Sequence, residues 1–285
     1  MKSKQLATYG LKFNPFSTDI PLEGLYVPPS LEHFRMRLEH LARDGGFALL
    51  SGDLGVGKSS ALRLCARHLG DLPDVKVGVL TRPQSRAPDF YREMGDLFGV
   101  ELSPHNRWAG SKVLRERWKE HIANVLYRPV LVVDEAQEML AGVMGELRFL
   151  MSSELDSRLL LTVVFAGDTR LLEKLRTAEL APIQSRVRVR LALDALSPAE
   201  LQDGLRHLLD SAGNPSLLSK DVQVTLCEQA AGNWRALTIM AAELLDAAEA
   251  RQARTVDEKL FFEVFAQLKG TKAKPPRGGA THAAR

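Results

Sequence analysis

Phe47-Ala48-Leu49-Leu50-Ser51 runs directly into Gly52-Asp53-Leu54-Gly55-Val56-Gly57-Lys58-Ser59-Ser60. The first five residues are a short apolar run and read as a buried strand. Beyond Lys58, Ala61, Leu62, Cys65, Ala66 and Leu69 recur at helical spacing. A glycine-rich loop between a strand and a helix is a phosphate cradle. The glycines let the backbone turn tightly and aim its N–H groups at an anion, and the helix adds the positive end of its dipole. Lys58 supplies a point charge for the β- and γ-phosphates, and the Ser59 hydroxyl is a Mg²⁺ ligand. We therefore expect Gly52 to Ser60 to bind ATP and Mg²⁺.

Outward from the loop, residues 75–80, 130–133, 159–166 and 187–193 read as further strands. Residues 31–43, 88–98, 112–126 and 145–151 read as helices. Strands alternating with helices predict an α/β fold with a five-stranded parallel sheet covered on both faces. From Ser197 the pattern changes to four helical segments near 197–212, 219–231, 233–250 and 256–268. The first opens with a capping box, Ser197-Pro198-Ala199-Glu200. Four regions result: a proline-punctuated segment 1–30, an α/β domain 31–195, a small all-helical domain 196–268, and a tail 269–285. The tail carries Lys269, Lys272, Lys274, Arg277 and Arg285 and no acid, and its composition predicts disorder.

Four more stretches carry chemistry. Val130-Leu131-Val132-Val133-Asp134-Glu135 brings two carboxylates to the end of an apolar strand. Asp134 is placed to hold Mg²⁺ through water and Glu135 to polarise an attacking water. Phe165-Ala166-Gly167-Asp168-Thr169-Arg170 ends another strand, where Asp168 or Thr169 could orient that water; an Asx turn would explain the same residues. Arg186, Arg188 and Arg190 alternate along the last strand, either reaching a neighbouring subunit's phosphates or standing as exposed edge cations. Gly232-Asn233-Trp234-Arg235 puts a cation at a helix start, where the dipole disfavours it, so a specific role for Arg235 is expected.

Hydrophobic residues make up 45% and charged residues 26% of the 285, ordinary for a globular chain. No apolar run reaches 18 residues, so no transmembrane helix is expected. With no secretory signal at the N-terminus, a cytoplasmic protein with no membrane partner is expected. The two cysteines, Cys65 and Cys227, sit in helix-like apolar patterns and read as buried reduced thiols. The net charge of +3 permits nucleic-acid binding without requiring it. Residues 82–128 concentrate the excess: Arg82, Arg86, Arg92, Arg107, Lys112, Arg115, Arg117, Lys119 and Arg128 stand against six acids.

Taken in order, these motifs resemble the AAA+ ATPases of the ExeA/TniB/TnsC-like group, over about residues 9–250. Tyr9-Gly10-Leu11-Lys12-Phe13-Asn14-Pro15-Phe16 and Asp134-Glu135-Ala136-Gln137 match as well. The resemblance implies an AAA+ P-loop domain with a helical lid. Walker A falls on Gly52–Ser59, Walker B on 130–135, sensor 1 on Asp168, the arginine finger on Arg186 and sensor 2 on Arg235. It also places the segment around Phe16 beside adenine. Stand-alone members resemble the transposition regulators of the MuB/IstB type, implying an ATP-dependent ring or helical filament on double-stranded DNA that recruits a transposase. Arg86, Ser111 and Lys112 would then contact phosphates, with little sequence preference. The alternatives are an ExeA-like secretion or assembly ATPase acting on a protein partner, which would continue into a membrane span, and a P-loop switch with little turnover.

Overall fold

The structure is a computed structural model that describes residues 3–102, 107–154 and 157–270. The chain divides into two compact units. One holds residues 25–196 together with Asn233–Arg235. The other holds the chain up to Gly24, residues 197–232, and the chain from Ala236 on.

The first unit is an α/β layer structure. In chain order it contains α2 (Pro29–Asp44), β1 (Gly46–Gly52), α3 (Lys58–Gly70), β2 (Val75–Leu80), α4 (Ala87–Phe98), α5 (Arg107–Ala123) and β3 (Arg128–Val133). Then follow α6 (Ala141–Met151), the short strands β4 (Ser152–Ser153) and β5 (Arg158–Leu159), β6 (Thr162–Gly167), α7 (Thr169–Leu175), α8 (Ala181–Gln184) and β7 (Val187–Leu193). A short helix, α1 (Ser3–Thr8), precedes them in the other unit. The five long strands form one parallel sheet in the order β2-β3-β6-β1-β7, as the alternating sequence pattern requires. Strands β1, β3 and β6 are buried along nearly their whole length, because helices cover both faces of a parallel sheet.

The core forms where strand side chains meet the helices. Phe47 of β1 stacks on Phe165 of β6 at 5.6 Å between ring centroids. On the flank, Trp118 of α5 meets Phe98 of α4 edge to face at 5.3 Å, and both rings are enclosed. The buried Tyr91 hydroxyl donates to the Glu146 carboxylate at 2.7 Å, joining α4 to α6.

Several boundaries differ from those expected. Residues 159–166 are not one strand: Arg158–Leu159 pairs back antiparallel on Ser152–Ser153, and the sheet strand begins at Thr162. An unbroken apolar run does not mark such a break. The α5 helix starts at Arg107 and stops at Ala123, before Val125 takes a left-handed φ of 52°. Arg186 precedes β7 rather than opening it, so the alternation joins Arg188 to Arg190 and does not reach Arg186. At that point the pairing shifts: Phe47 faces Val187 and Ala48 faces Val189, so Arg188 is the extra residue of a bulge on an edge strand.

The helical unit contains α9 (Pro198–Ala212), α10 (Lys220–Ala230), α11 (Trp234–Ala250, from Ala236) and α12 (Glu258–Gly270). Its first helix is closed by the expected capping box. Ser197 Oγ accepts from Glu200 N at 3.2 Å while Ser197 N donates to Glu200 Oε2 at 2.8 Å. The N-terminal segment docks on the far end of α9: Lys12 N donates to Ala212 O at 2.8 Å and Asn214 Nδ2 to Tyr9 O at 2.8 Å. The α12 helix runs to Gly270, so Lys269 and Gly270 are helical rather than the start of a tail. Residues 271–285 lie outside the described residues. Cys65 and Cys227 are buried free thiols, with burial pushing their pKa up to about 12 and about 11.

Replacing Trp118 with Ala should lower the stability of the α/β unit by about 3–5 kcal/mol, since a buried indole leaves a large void. Urea unfolding followed by circular dichroism measures it; an unchanged midpoint would contradict the place of Trp118 in the core.

Candidate active site

Sheet order builds the site. β6 lies between β1 and β3, all three parallel, so their C-terminal ends share one edge. Ser51 is level with Gly167, and Val133 with Phe165. The glycine loop after β1, the acidic pair after β3 and Asp168 after β6 therefore leave the sheet side by side. Ligands of open α/β sheets bind at such carboxyl ends.

Donors engage four successive carbonyls of the loop. Lys58 Nζ donates to Gly52 O at 2.9 Å and to Asp53 O at 2.8 Å. Asn233 Nδ2 donates to Leu54 O at 2.9 Å, and Arg235 N to Gly55 O at 3.0 Å. In a planar trans peptide the N–H points opposite to the C=O. In each of these four peptides the N–H, that of Asp53, Leu54, Gly55 and Val56 in turn, therefore points away from the donor that holds the carbonyl. Gly57, at φ 101°, leads into α3, with open space where a Cβ would stand. Gly55 is needed for close approach: a Cβ there would collide with the Asn233 side chain. Lys58 is buried, and Ser59 is exposed one residue into the helix. A buried ammonium, a row of directed N–H groups, a helix N-terminus and a hydroxyl together fit a polyphosphate with its divalent ion.

Asp134 and Glu135 are half-buried. Asp134 Oδ1 accepts from Glu135 N at 2.9 Å. Glu135 has left-handed backbone geometry, φ 49° and ψ 41°, uncommon for a residue with a side chain. Its Oε2 accepts from Gln137 Nε2. Asp168 is buried, and as the cap of α7 it accepts from Arg170 N at 2.9 Å and from the Arg170 guanidinium at 2.9 and 2.8 Å. The guanidinium hydrogen bond holds the Asp168 carboxyl below the usual carboxylate range. Burial opposes this; the Arg170 N–H and charge, and then the Lys58 ammonium, support it. An ionised Asp168 can accept a hydrogen bond from a water or face a cation, but it cannot donate to a phosphate oxygen. Thr169 is exposed.

The remaining candidates come from other parts of the sequence, although the Arg235 backbone N–H meets the loop at Gly55 O. Arg186 is half-buried beside the edge strand β7 and donates to Pro182 O at 2.7 Å; Arg188 and Arg190 are exposed along that edge. Arg235 is exposed at the start of α11. Phe16 is buried in the helical unit. Arg86 is exposed at the cap of α4. Ser111 and Lys112 line a shallow pocket of about 200 Å³ on α5 with Arg115, Glu116 and Lys119, and Arg115 Nη2 donates to Ser152 O at 2.6 Å. Three residues of the site have no role on the sequence reading: Asn233, Gln137 and Lys174. Asn233 carries the one usable signal, since a side-chain amide next to a helix start is a natural partner for a loop carbonyl.

Residues 41–175 match the AAA domain model. The chain is 30% identical over 254 residues, 87% of its length, to general secretion pathway protein A of Aeromonas hydrophila, and spans 45% of that protein. Among solved structures it resembles the Aeropyrum pernix ORC2 protein in its ADPNP–ADP complexes, with a TM-score of 0.69 and 14% identity over 93% of this chain and 74% of that one. It also resembles the Aeropyrum pernix ORC1 protein in complex with DNA, with a TM-score of 0.61 and 21% identity over 89% of this chain and 68% of that one. At these identities the structural likeness is one of fold. Among the described residues, no helix is long and apolar enough to cross a membrane. The domain match, the sheet order and the loop geometry agree: this chain is a P-loop ATPase with the AAA fold.

Proposed function

We propose that this ATPase assembles into a ring or helical filament when ATP binds, holds double-stranded DNA by its phosphates, and regulates transposition by presenting that DNA to a transposase. The observation that carries the DNA reading is the face of α5 on which Lys112, Arg115 and Lys119 line one pocket with a single acid, Glu116, which pairs with Lys112 at 3.8 Å.

Residues Gly52 to Ser60 cradle the triphosphate, with Lys58 neutralising the β- and γ-phosphates and Arg235 reading the γ end. Phe16 contributes to the adenine side. Ser59 and Asp134 would hold Mg²⁺, which when bound would supply charge neutralisation at the phosphates. Glu135 accepts a hydrogen bond from the attacking water and aims it in line, while Asp168 holds its neighbourhood in register. The chemistry needs positioning and charge more than a covalent group. Arg186, beside an edge strand, serves the phosphates of the next subunit rather than its own. Arg86, Ser111 and Lys112 contact DNA phosphates, so sequence preference is slight. A cytoplasmic site of action goes with a DNA partner.

A second reading is supported by the 30% identity to general secretion pathway protein A: a secretion or assembly ATPase whose partner is a protein.

Lys58→Ala should lose tight ATP binding, whereas Glu135→Gln should keep binding and lose hydrolysis. Nucleotide titration and phosphate release on both variants check this, and normal hydrolysis by Glu135→Gln would remove Glu135 from its assigned role. A mixture of Lys58→Ala and Arg186→Ala subunits should regain activity that neither has alone, because each supplies the half-site that the other lacks. If the mixture assembles yet stays inactive, the trans-acting arginine is Arg188 or Arg190.

Fluorescence anisotropy with a random-sequence duplex tests the DNA reading. Binding should require an ATP analogue and weaken steeply with salt. For every phosphate that an Arg86→Ala/Lys112→Ala variant no longer neutralises, the log–log salt slope should flatten by about 0.9. Assembly without ATP-dependent DNA binding at low salt would favour the protein-partner reading.

A further inference from the structure

A carboxylate that directs a water must be held in direction, and in this protein the holding group is visible. Glu135 sits on a left-handed backbone at the end of β3, and one carboxylate oxygen, Oε2, accepts a hydrogen bond from Gln137 Nε2. Gln137 itself is 8% exposed. The amide can face the carboxylate only by its N–H₂ end, since the carbonyl end would set oxygen against oxygen. Its other end, Oε1, is buried with no hydrogen-bond partner among the described residues and lies against β6, where a Cβ on Gly167 would collide with it. Leaving a buried acceptor unpaired is unfavourable. Gln137 keeps that arrangement, and with it the bond to Glu135.

The backbone of Gln137 is fixed from a second direction. Lys174, on α7, sends its ammonium to Gln137 O at 2.8 Å and also to Met139 O. One residue along, Glu138 pairs with Arg170 at 3.3 Å, and Arg170 is the partner of Asp168. The turn after Glu135 is therefore pinned to α7 by Lys174 and Arg170, and its Gln137 side chain reaches back to the carboxylate.

We propose that Gln137 is a positioning residue for Glu135, holding one carboxylate oxygen so that the other faces the water, and that Lys174 fixes Gln137 in that pose. This rests on the reading of Glu135 as the water-directing carboxylate. Gln137 acts through Glu135, so removing its donor should slow turnover without changing how nucleotide binds. A misplacement on the ångström scale at a reacting group costs up to about a hundredfold.

The test is a double-mutant cycle on the full chain, with kcat, KM and nucleotide affinity measured for each variant and single-turnover hydrolysis used where rates are low. Gln137→Leu keeps the bulk and removes the donor. It should lower kcat by about tenfold or more with KM and nucleotide affinity unchanged. Placed on Glu135→Gln, it should cause no further loss, because the carboxylate it positions is gone. Lys174→Met keeps the apolar stem and should show the same pattern with a smaller loss. Full kcat in Gln137→Leu, with Glu135→Gln inactive, would overturn the proposal, and so would a faster Gln137→Leu, which would mean that the bond restrains Glu135. An equal further loss on the Glu135→Gln background, or weakened nucleotide binding, would assign Gln137 a general structural role instead. An unchanged kcat in Lys174→Met would remove Lys174 from the device. Normal hydrolysis by Glu135→Gln alone would remove the underlying reading of Glu135, an outcome distinct from all of these.

Discussion

The position of β6 between β1 and β3 is the constraint on which the site depends. These are parallel strands buried on both faces, and a one-residue slip would exchange the side chains packed against the helices of the two faces. Register in turn fixes chemistry. With Ser51 level with Gly167 and Val133 level with Phe165, a cationic loop, an acidic pair and an anchored aspartate emerge at one edge. The Phe47–Phe165 stack binds two of these strands, β1 and β6, through their side chains. Destabilising that core would disperse the site before altering any residue in it.

Charge is managed by pairing close to the loop. A buried ammonium is costly unless its donors are satisfied. Lys58 meets that cost with the carbonyls of Gly52 and Asp53, at the start of the glycine loop. Asp168 and Arg170 form a second matched pair, which keeps a carboxylate ionised near a site for a polyanion. The same arginine reaches Glu138, so α7 bears on both the β6 end and the turn after β3.

Much of this was legible in the sequence because the strongest signals are local. The loop glycines, Lys58, the apolar strands and the capping box at Ser197 each report on a few adjacent residues, and the sheet, the loop and the four C-terminal helices formed from them. What escaped depends on tertiary pairing. The break between Arg158–Leu159 and Thr162 lies inside one apolar run, and only a hydrogen-bonded partner at Ser152–Ser153 reveals it. The bulge at Arg188 shows only in the register of β7 against Phe47 and Ala48. Asn233 gains its meaning from Leu54, 179 residues away, and Gln137 from Lys174, 37 residues away. Chain periodicity carries no trace of such pairings.

The most direct measurement is a structure of the protein with Mg²⁺ and a non-hydrolysable ATP analogue. The expected result places the phosphates against the N–H groups of the Gly52–Ser59 loop, with Lys58 on the β- and γ-oxygens, the metal between Ser59 and Asp134, and Glu135 facing the γ-phosphate while still bonded to Gln137. A nucleotide bound away from this loop, or a γ-phosphate out of reach of Glu135 in the assembled form, would contradict the assignment of the site.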